Sequence, residues 1–418
     1  MVIKGGYAGF GEPDPNARDI DLYESILSGD LTGNDIDVND PADLLDEPTR
    51  GENSYHVVIA SGTDETAVLD GFTITAGNAN GPISDRRGGG IYNTSGSPKL
   101  NNCIFSENSA RSSGGGMWNW GSFTTLTKCR FSRNSAGDGG GIGNPGNATL
   151  TNCAFSGNSA YWGGGMYNGH HNNVILTDCT FSGNSAMTGG GMRNMDSSNV
   201  ILINCVFSGN SADKNGGVMY CEQTSTTHIV NCTFSRNSAQ EKGGGLYIAL
   251  PPVPAGGPSS KMGDGTCTIT NCIFWENWPQ QIVNLSGFRL AASYNDVQGG
   301  WAGEGNIDAD PLFVDANNRD YHLKSQAGRW EPSSASWVQD AVTSPCIDAG
   351  DPMSPIGYEP FPNGGRINMG AYGGTAEGSK SYFGEPLCKT IVAGDINGDC
   401  KVNFLDFRIM ALHWLEEK

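Results

Sequence analysis

The chain has 418 residues, 61 of them glycine, and its 44 acidic and 25 basic side chains give a formal net charge of −19. This excess of negative charge argues against nucleic acid and against an anionic membrane surface as partners, because both are negatively charged themselves. The sequence contains no run of 18 apolar residues, so we expect no membrane insertion. Calcium and neutral glycans remain the partners that the composition allows.

Residues 1–70 predict N-terminal coils of a repetitive β fold. Met1–Gly6 carries one charge with no apolar stretch behind it, which is unlike a signal peptide. Ile3–Tyr7 is instead typical of a strand in a coil that has already begun. We therefore expect the sequence to be a fragment of an exported protein, with its export signal and N-terminal cap missing.

A repeat of about two dozen residues occupies the middle of the chain. The consensus of the copies is Asn-Cys-x-Phe-Ser-x-Asn-Ser-Ala, followed after a short variable stretch by Gly-Gly-Gly-apolar-x-Asn. The cysteines that mark the copies are Cys103, Cys129, Cys153, Cys179, Cys205, Cys232 and Cys272. Such a period is typical of solenoids, propellers and repeat arrays.

The residues within each copy favour one of these architectures. No copy has the apolar stripe of a helical repeat, and a propeller blade needs about 40 residues. Short strands between Gly, Asn and Ser corners leave a parallel β-helix, in which each strand pairs with its equivalent one coil away. Crossover handedness favours the right-handed form. We therefore predict an all-β fold, a right-handed parallel β-helix (solenoid), with regular repeats over residues 71–290.

Stacked coils place equivalent residues in columns. Two columns are expected to point inward, and a third is expected to hydrogen-bond along a bend, as asparagine ladders do. The inward columns are Phe105, Phe131, Phe155, Phe181, Phe207, Phe234 and Phe274, and Ile91, Met117, Ile142, Met166, Met192, Met219 and Leu246. The asparagine column is Asn108, Asn134, Asn158, Asn184, Asn210, Asn237 and Asn277. A degenerate copy, from Gly71 to Asn93, precedes these. The repeat cysteines are expected to be buried thiols, because side chains on in-register strands point the same way.

An outward column is a candidate glycan-binding surface. Its members follow the inward apolar residue of each Gly-rich strand: Tyr92, Trp118, Tyr167, Arg193, Tyr220 and Tyr247. Trp120, Tyr161 and Trp162 could add to it. Aromatic rows stack on sugar rings, but they also stack on one another to protect strands, so both interpretations stay open.

The paired Phe-Ser-x-Asn and Gly-Gly-Gly-apolar motifs resemble the FxxN and GGA(I/L/V) repeats of polymorphic outer-membrane proteins. The resemblance covers roughly residues 70–280. It implies a β-helical, surface-exposed and adhesin-like domain, although the membrane barrel that ends those proteins is not found in this sequence.

Residues 291–372 predict irregular closing coils that cap the solenoid, because a solenoid end must hide its open edge. Strings such as Ser344–Asp351 and Gly364–Tyr372 look like the closing coils of secreted bacterial β-helix proteins. The acidic residues of this region, Asp308, Asp310, Asp348 and Asp351, are expected to be polar turn residues. Residues 373–387 are predicted to be a linker.

A calcium-binding loop is predicted near the C-terminus. Oxygen ligands at loop positions 1, 3, 5, 9 and 12, with a carbonyl at position 7, are what a calcium-binding helix-loop requires. The predicted ligands are Asp395, Asn397, Asp399, the carbonyl of Lys401, Asn403 and Asp406. An amphipathic segment from Leu405 to Leu415 is expected to form the exiting helix. Cys388 and Cys400 flank the approach to this loop and could form a bridge.

This loop-and-helix segment, residues 388–418, resembles a single dockerin type I repeat, a small EF-hand-like module. The resemblance implies calcium as cofactor and a cohesin-like module or another cell-surface component as partner. Dockerins normally contain two such repeats, whereas one is found here. Because dockerins occur most often on secreted polysaccharide-degrading enzymes, the resemblance also raises the expectation that this protein acts on polysaccharide.

Together these features predict a secreted or cell-surface bacterial β-helix that is adhesive or structural, with glycan as a candidate ligand, and docked through a calcium-binding tail. The alternative is a polysaccharide lyase or glycoside hydrolase with its catalytic carboxylates on the irregular coils after residue 290. The regular repeat shows no column of paired carboxylates, so no catalytic residue is predicted.

Overall fold

The computed structural model describes residues 1–195, 198–222, 225–249, 265–285 and 289–382, together with the single residues 402 and 407. Through residue 382, the described chain is built from short strands, turns and four 3-10 helices, with no α-helix. No described helix is long and apolar enough to cross a membrane. The predicted all-β parallel solenoid is confirmed, whereas the predicted C-terminal helical module lies outside the described residues apart from Val402 and Phe407.

The chain forms two compact units. The first contains residues 1–228, 234–268 and 276–290, and the second contains 229–233, 269–275 and the described residues from 291 onward. Four strands have residues in both units: Thr226–Val230, Thr233–Ser235, Thr266–Thr270 and Arg289–Ser293.

The coils of the first unit contribute strands to four parallel sheets, named A to D in the order in which a complete coil visits them; the first coil has no strand in sheet C. The strands of sheet A that lie wholly in the first unit are Val2–Lys4, Val68–Asp70, Lys99–Asn101, Phe123–Thr127, Asn147–Thr151, Asn173–Thr177 and Asn199–Ile203. Those of sheet B are Ile26–Ser28, Thr73–Thr75, Ile104–Ser106, Arg130–Ser132, Ala154–Ser156, Thr180–Ser182 and Val206–Ser208.

Sheets C and D complete each coil. Sheet C has Asn78–Ala79, Ser109–Ser113, Ser135–Asp138, Ser159–Trp162, Ser185–Thr188, Ser211–Asn215 and Ser238–Ala239. Sheet D has Val58–Ile59, Ile91–Thr94, Met117–Trp120, Ile142–Asn144, Met166–Asn168, Met192–Asn194, Met219–Glu222, Leu246–Ala249 and Ile282–Asn284. The 3-10 helices Pro41–Leu45, Pro48–Arg50 and Ile83–Asp85 lie in the connections of the early coils.

The predicted inward columns form the core. Phenylalanine rings on consecutive strands of sheet B lie nearly parallel, with centroids 4.4 Å apart for Phe105 and Phe131 and 4.9 Å apart for Phe131 and Phe155. Ile74 occupies the equivalent place in the degenerate copy, where it pairs with Phe105. The aliphatic column from Ile91 to Leu246 on sheet D is also fully buried. Ring stacking and apolar burial therefore run along the same axis as the strand pairing.

The asparagine column forms a buried ladder at the corner between sheets B and C. The Nδ2 of Asn158 donates to the carbonyl of Phe131 at 2.9 Å and to the Oδ1 of Asn184 at 2.9 Å. Its Oδ1 accepts from the backbone N–H and from the Nδ2 of Asn134, both at 3.0 Å. Each amide thus joins three coils and satisfies backbone groups that a sharp corner would leave without partners.

The cysteines of the described residues are thiols rather than bridges. All ten described cysteines are free and buried, as predicted for the repeat positions. The Sγ of Cys129 donates to the carbonyl of Leu100 at 3.3 Å, so the thiol column gives further contacts between coils. Cys388 and Cys400 lie outside the described residues.

The second unit has its own core. Strand Ile273–Trp275 pairs in parallel with Asp296–Val297, and the antiparallel hairpins Phe313–Asp315 with Asp320–Leu323 and Arg329–Glu331 with Ser336–Val338 follow. The 3-10 helix Ala316–Asn318 lies in the first hairpin. The buried residues that pack together are Ile273, Leu323, Cys346, Ile347 and Met369.

The predicted linker is packed over its described part, residues 373–382. Ser379 is buried, its Oγ donates to the carbonyl of Leu323 at 2.6 Å, and its own carbonyl accepts from Asn368 at 2.7 Å. The backbone of Ser381 bonds to Pro362. These residues belong to the second unit.

The asparagine ladder yields a test of stability. We expect Asn158→Ala to lower the free energy of unfolding by about 3 kcal/mol or more, because several buried partners lose a hydrogen bond at once and each costs about 1–3 kcal/mol. Asn173→Ala, in the exposed ladder of sheet A where Asn173 bonds Asn147, is the matched control and should cost less than about 1 kcal/mol. Equal urea-unfolding midpoints for the two variants would contradict this role.

Candidate functional site

The structure brings the six predicted glycan-binding residues into one column on sheet D. The register pairs Tyr92 with Trp118, Tyr167 with Arg193, Arg193 with Tyr220, and Tyr220 with Tyr247. Gly143 interrupts the column, and the space beside it is occupied by the Ser113 hydroxyl, which lies 2.3 Å from where a Cβ would be.

Most of this column is covered. Trp118, Tyr167, Arg193 and Tyr247 are each 6–8% exposed, whereas Tyr92 and Tyr220 are half-buried. The contacts come from neighbouring side chains: Tyr220 and Tyr247 have ring centroids 5.4 Å apart, and the Arg87 guanidinium lies 4.9 Å above the Trp118 ring. The ring faces that a sugar would need are therefore in contact with protein, as in aromatic rows that protect strands.

Arg193 is the centre of this stack. Its guanidinium lies 4.3 Å from the Trp162 ring centroid on sheet C and 4.8 Å from that of Tyr220 on sheet D. It donates to Thr188 Oγ1 at 2.8 Å and forms a buried ion pair with Glu222 at 3.4 Å. Two stacked rings, a hydroxyl and a carboxylate thus hold one buried cation between sheets C and D.

Asp138 lies near the same cluster, at the C-terminal end of its sheet C strand. Burial raises the pKa of its carboxyl to about 6, against the opposing attraction of Arg193 and Arg87. Asp138 is half-buried and lies near one buried cation, Arg193, and one half-buried cation, Arg87.

Two aromatic residues near the column are open to solvent. Trp120 is 43% exposed and stacks on Trp118 at 6.0 Å, and His170 lies at its edge at 5.3 Å. Tyr161 is 54% exposed and packs against Trp162, with ring centroids 5.5 Å apart. Trp120 and Tyr161 can therefore contact a ligand while the stacked residues of the column stay in place.

Tyr161 lies on the rim of a groove along sheet C, which we call groove C. Its lining residues are Asp40, Ala42, Leu45, Arg111, Ser135, Ala136, Gly137, Ser159, Ala160, Tyr161, Ser185, Ala186, Met187 and Asp213. It has a volume of about 680 Å³ and is broad and open. The 3-10 helix Pro41–Leu45 forms one wall, and its Leu44 is buried.

The floor of groove C is regular because the strands are in register. Ser135, Ser159 and Ser185 pair directly from coil to coil, and beside them Ala136, Ala160 and Ala186 do the same. A hydroxyl thus recurs once per coil, at the strand spacing of about 4.8 Å. The groove can offer repeated hydrogen bonds from the serines and an aromatic face from Tyr161. It also has charged side chains, which are Arg111, Asp40 and Asp213.

Sequence reasoning identified Tyr161 but missed the groove. The serine and alanine columns are visible in the repeat as the Ser-Ala pair that follows six of the seven ladder asparagines, all except Asn277. The wall from Asp40 to Leu45 comes from a non-repeating connection, and no local pattern shows where such a connection will pack.

The predicted calcium ligands from Asp395 to Asp406 lie outside the described residues, so this site stays a prediction. Among the described residues, three carboxylates, Asp30, Asp35 and Glu52, have oxygens within 4.8 Å of one another. Arg50 is ion-paired to Asp35 at 3.1 Å, and Asn53 donates to the same oxygen at 2.8 Å. The buried Arg50 guanidinium thus already supplies a positive charge to this carboxylate cluster.

Acidic residues of the second unit serve its turns and its interior. Asp308, Asp310 and Asp351 accept backbone N–H groups of nearby residues at 2.9–3.1 Å, as expected for turn residues. Asp348 is half-buried, and burial raises the pKa of its carboxyl to about 6.

Glu359 is a buried carboxyl that joins two backbone segments of the second unit. It is 6% exposed, and its Oε1 accepts the backbone N–H groups of Asn368 and Gly374, both at 2.8 Å. Burial raises its pKa to about 7 even though these donors lower it, and the charge of Asp348 raises it further. Because Glu359 bonds to two separate backbone segments, its role is structural.

Comparison with known proteins agrees with this architecture. Residues 116–298 match the family described as the right handed beta helix region, and residues 284–350 match the family described as disaggregatase related. The chain contains a right-handed β-helix region. No curated protein and no solved structure gives a significant match.

The buried Arg193 stack predicts a stability effect. Arg193→Met should lower the free energy of unfolding by about 3 kcal/mol or more, because it leaves Glu222 buried without its cation. Trp120→Ala, which removes an exposed ring nearby, is the control and should have a much smaller effect. An unchanged urea-unfolding midpoint for Arg193→Met would show that the ion pair does not support the fold.

Glu359 predicts a pH dependence of the second unit. Its pKa is raised from 4.5 to about 7, so its stabilising contribution is complete below pH 4.5 and is lost as the pH rises towards 7. The loss amounts to about 3 kcal/mol. Glu359→Gln should remove this dependence and be more stable than the parent at pH 8, measured by thermal unfolding at pH 5 and pH 8. The exposed Glu12→Gln is the control, and a slope unchanged in Glu359→Gln would contradict the assignment.

Proposed function

We propose that this protein is a secreted or cell-surface, non-catalytic β-helix that adheres to polysaccharide through groove C. The observation that carries the proposal is the exposed Tyr161 ring on the rim of an open groove of about 680 Å³ with a hydroxyl on every coil. Aromatic faces stack on the C–H faces of sugars, and hydroxyls bond sugar hydroxyls.

The geometry of groove C favours a linear polymer over a compact ligand. Its floor repeats at the strand spacing of about 4.8 Å, which is close to the length of one pyranose in an extended chain. Ser159 and Ser185 are half-buried and flanked by Ala160 and Ala186, so hydroxyls alternate with small apolar surface. A ligand with a repeating unit of this size can use several coils at once, and weak contacts then add.

We propose further that the C-terminal tail docks the β-helix through calcium. The support is the spacing of Asp395, Asn397, Asp399, Asn403 and Asp406, which matches a calcium-binding loop, and the resemblance of the segment to a dockerin repeat. A cohesin-like module or a cell-surface component would be its partner, and an extracellular bacterial location follows from the same resemblance. The adhesive role of the coil agrees with the likeness of its repeats to those of polymorphic outer-membrane proteins.

The adhesive role is tested at Tyr161. Tyr161→Ala should weaken binding to immobilised neutral polysaccharides about tenfold, since the lost stacking corresponds to about 1.4 kcal/mol. Retention on a panel of polysaccharide columns is the measurement. Trp120→Ala, which removes an exposed ring on sheet D, is the matched control and should bind as the parent does.

Two results would contradict glycan binding in groove C. One is that the parent is not retained by any polysaccharide of the panel. The other is that Trp120→Ala loses retention while Tyr161→Ala keeps it, which would place the glycan on sheet D. Circular dichroism and thermal unfolding establish that each variant is folded.

The tail is tested by calcium titration of the full chain. We expect one site with a dissociation constant on the order of micromolar, as in calcium-sensing loops, and a loss of binding in Asp395→Ala. Asp213→Ala, which removes an exposed carboxylate of sheet C, is the control. Calorimetry that detects equal calcium binding by Asp395→Ala and the parent would exclude this loop as the site.

A further inference from the structure

A second cleft lies against the outer face of sheet B, at the start of the solenoid. It is bounded by the connection from Ile20 to Ser25 and by residues of the next three coils, and its volume is about 320 Å³. The lining residues are Ile20, Asp21, Glu24, Ser25, Gly71, Phe72, Thr73, Asn102, Ile104, Lys128 and Arg130. This volume lies at the lower end of the range for small-ligand sites, about 300–1,000 Å³.

One wall of this cleft carries two unpaired cations. Lys128 and Arg130 are exposed, and no described residue forms a hydrogen bond or ion pair with either side chain. Two other arginines of these coils are paired: Arg18 contacts Asp70 at 2.9 Å and Arg133 contacts Glu107 at 3.1 Å. Lys128 and Arg130 therefore keep their donors available to a ligand.

The opposite wall carries acceptors. Asp21 and Glu24 are exposed, and Glu24 is fixed in place because its Oε1 accepts the Thr73 hydroxyl at 2.8 Å. The second oxygen of Glu24 and the carboxylate of Asp21 can accept further hydrogen bonds. Carboxylates in such a position are suited to the hydroxyl groups of a sugar.

The floor between the two walls is apolar. Phe72 and Ile104 are half-buried, and Ile104 lies in register between Thr73 and Arg130 on successive strands of sheet B. An apolar floor matches the C–H face of a pyranose ring. The cleft thus combines cationic donors, carboxylate acceptors and an apolar platform within the size of one or two sugar rings.

We propose that this cleft binds an acidic sugar, a pyranose that carries a carboxylate. The sugar carboxylate bonds to Arg130 and Lys128, its hydroxyls donate to Glu24 and Asp21, and its ring lies on Phe72 and Ile104. A neutral sugar would leave the cations without partners. The net charge of −19 does not prevent this binding, because charges more than about 8–10 Å away are screened at physiological ionic strength. The cleft is separate from groove C, and the inference does not depend on glycan binding there.

The test compares two ligands that differ only in the group at C6 of each sugar. The β-1,4-linked tetramer of glucuronic acid has a carboxylate where cellotetraose has a hydroxymethyl group. Calorimetry on the full chain should detect the acidic tetramer and give at least tenfold weaker binding for cellotetraose, because charge-assisted hydrogen bonds are about twice as strong as neutral ones. Added salt should weaken the binding of the acidic tetramer, because it screens the attraction between the sugar carboxylate and the two cations.

Variants locate the binding. The double variant Lys128→Gln/Arg130→Gln should lose at least tenfold in affinity for the acidic tetramer, on the same grounds. Lys242→Gln, at an exposed lysine far along the solenoid, should leave this affinity unchanged. Unchanged affinity in the double variant, or equal affinity of the parent for the two tetramers, would overturn the proposal. Loss of affinity in Tyr161→Ala alone would assign the acidic tetramer to groove C instead.

Discussion

The in-register stacking of equivalent strands is the constraint on which the rest of the molecule depends. It places Phe131 between Phe105 and Phe155, and Asn158 between Asn134 and Asn184, so that each core contact and each corner hydrogen bond is made along the same axis. A side chain that suits one coil suits its neighbours, which explains why the sequence repeats so closely. The asparagine amides add specificity, because a slip of one residue would leave several buried donors and acceptors unsatisfied.

The same register produces the surfaces proposed to bind ligands. Ser159 and Ser185 line groove C because they occupy one column, and Ile104 and Arg130 line the second cleft for the same reason. The solenoid alone would present flat faces. Concave surfaces arise where irregular connections, Ile20–Ser25 and Pro41–Leu45, pack against the outer sides of sheets B and C. Binding on this fold is thus a joint product of repeating strands and non-repeating loops.

Much of the architecture could be predicted from sequence, because a column needs only the spacing of like residues. The burial of the outward column could not be predicted, since Arg193 is covered by Trp162 and Glu222, which come from other strands. The same holds for the walls of both clefts, which depend on loops without a repeat. The packing of residues 373–382 could not be predicted either, because the composition of this segment is typical of a linker. Its Ser379 and Ser381 are nevertheless buried and form hydrogen bonds to segments distant in sequence.

The asparagine ladder makes each coil an interchangeable unit. Asn134, Asn158, Asn184 and Asn210 make the same bonds to the coil before and the coil after, so the duplication or loss of one complete coil would restore the ladder hydrogen bonds at the junction. Such a change would lengthen or shorten groove C by one strand spacing, about 4.8 Å, and add or remove one hydroxyl. The reach of this surface along a polymer is therefore set by coil number, a property that gene duplication can alter without redesigning the core.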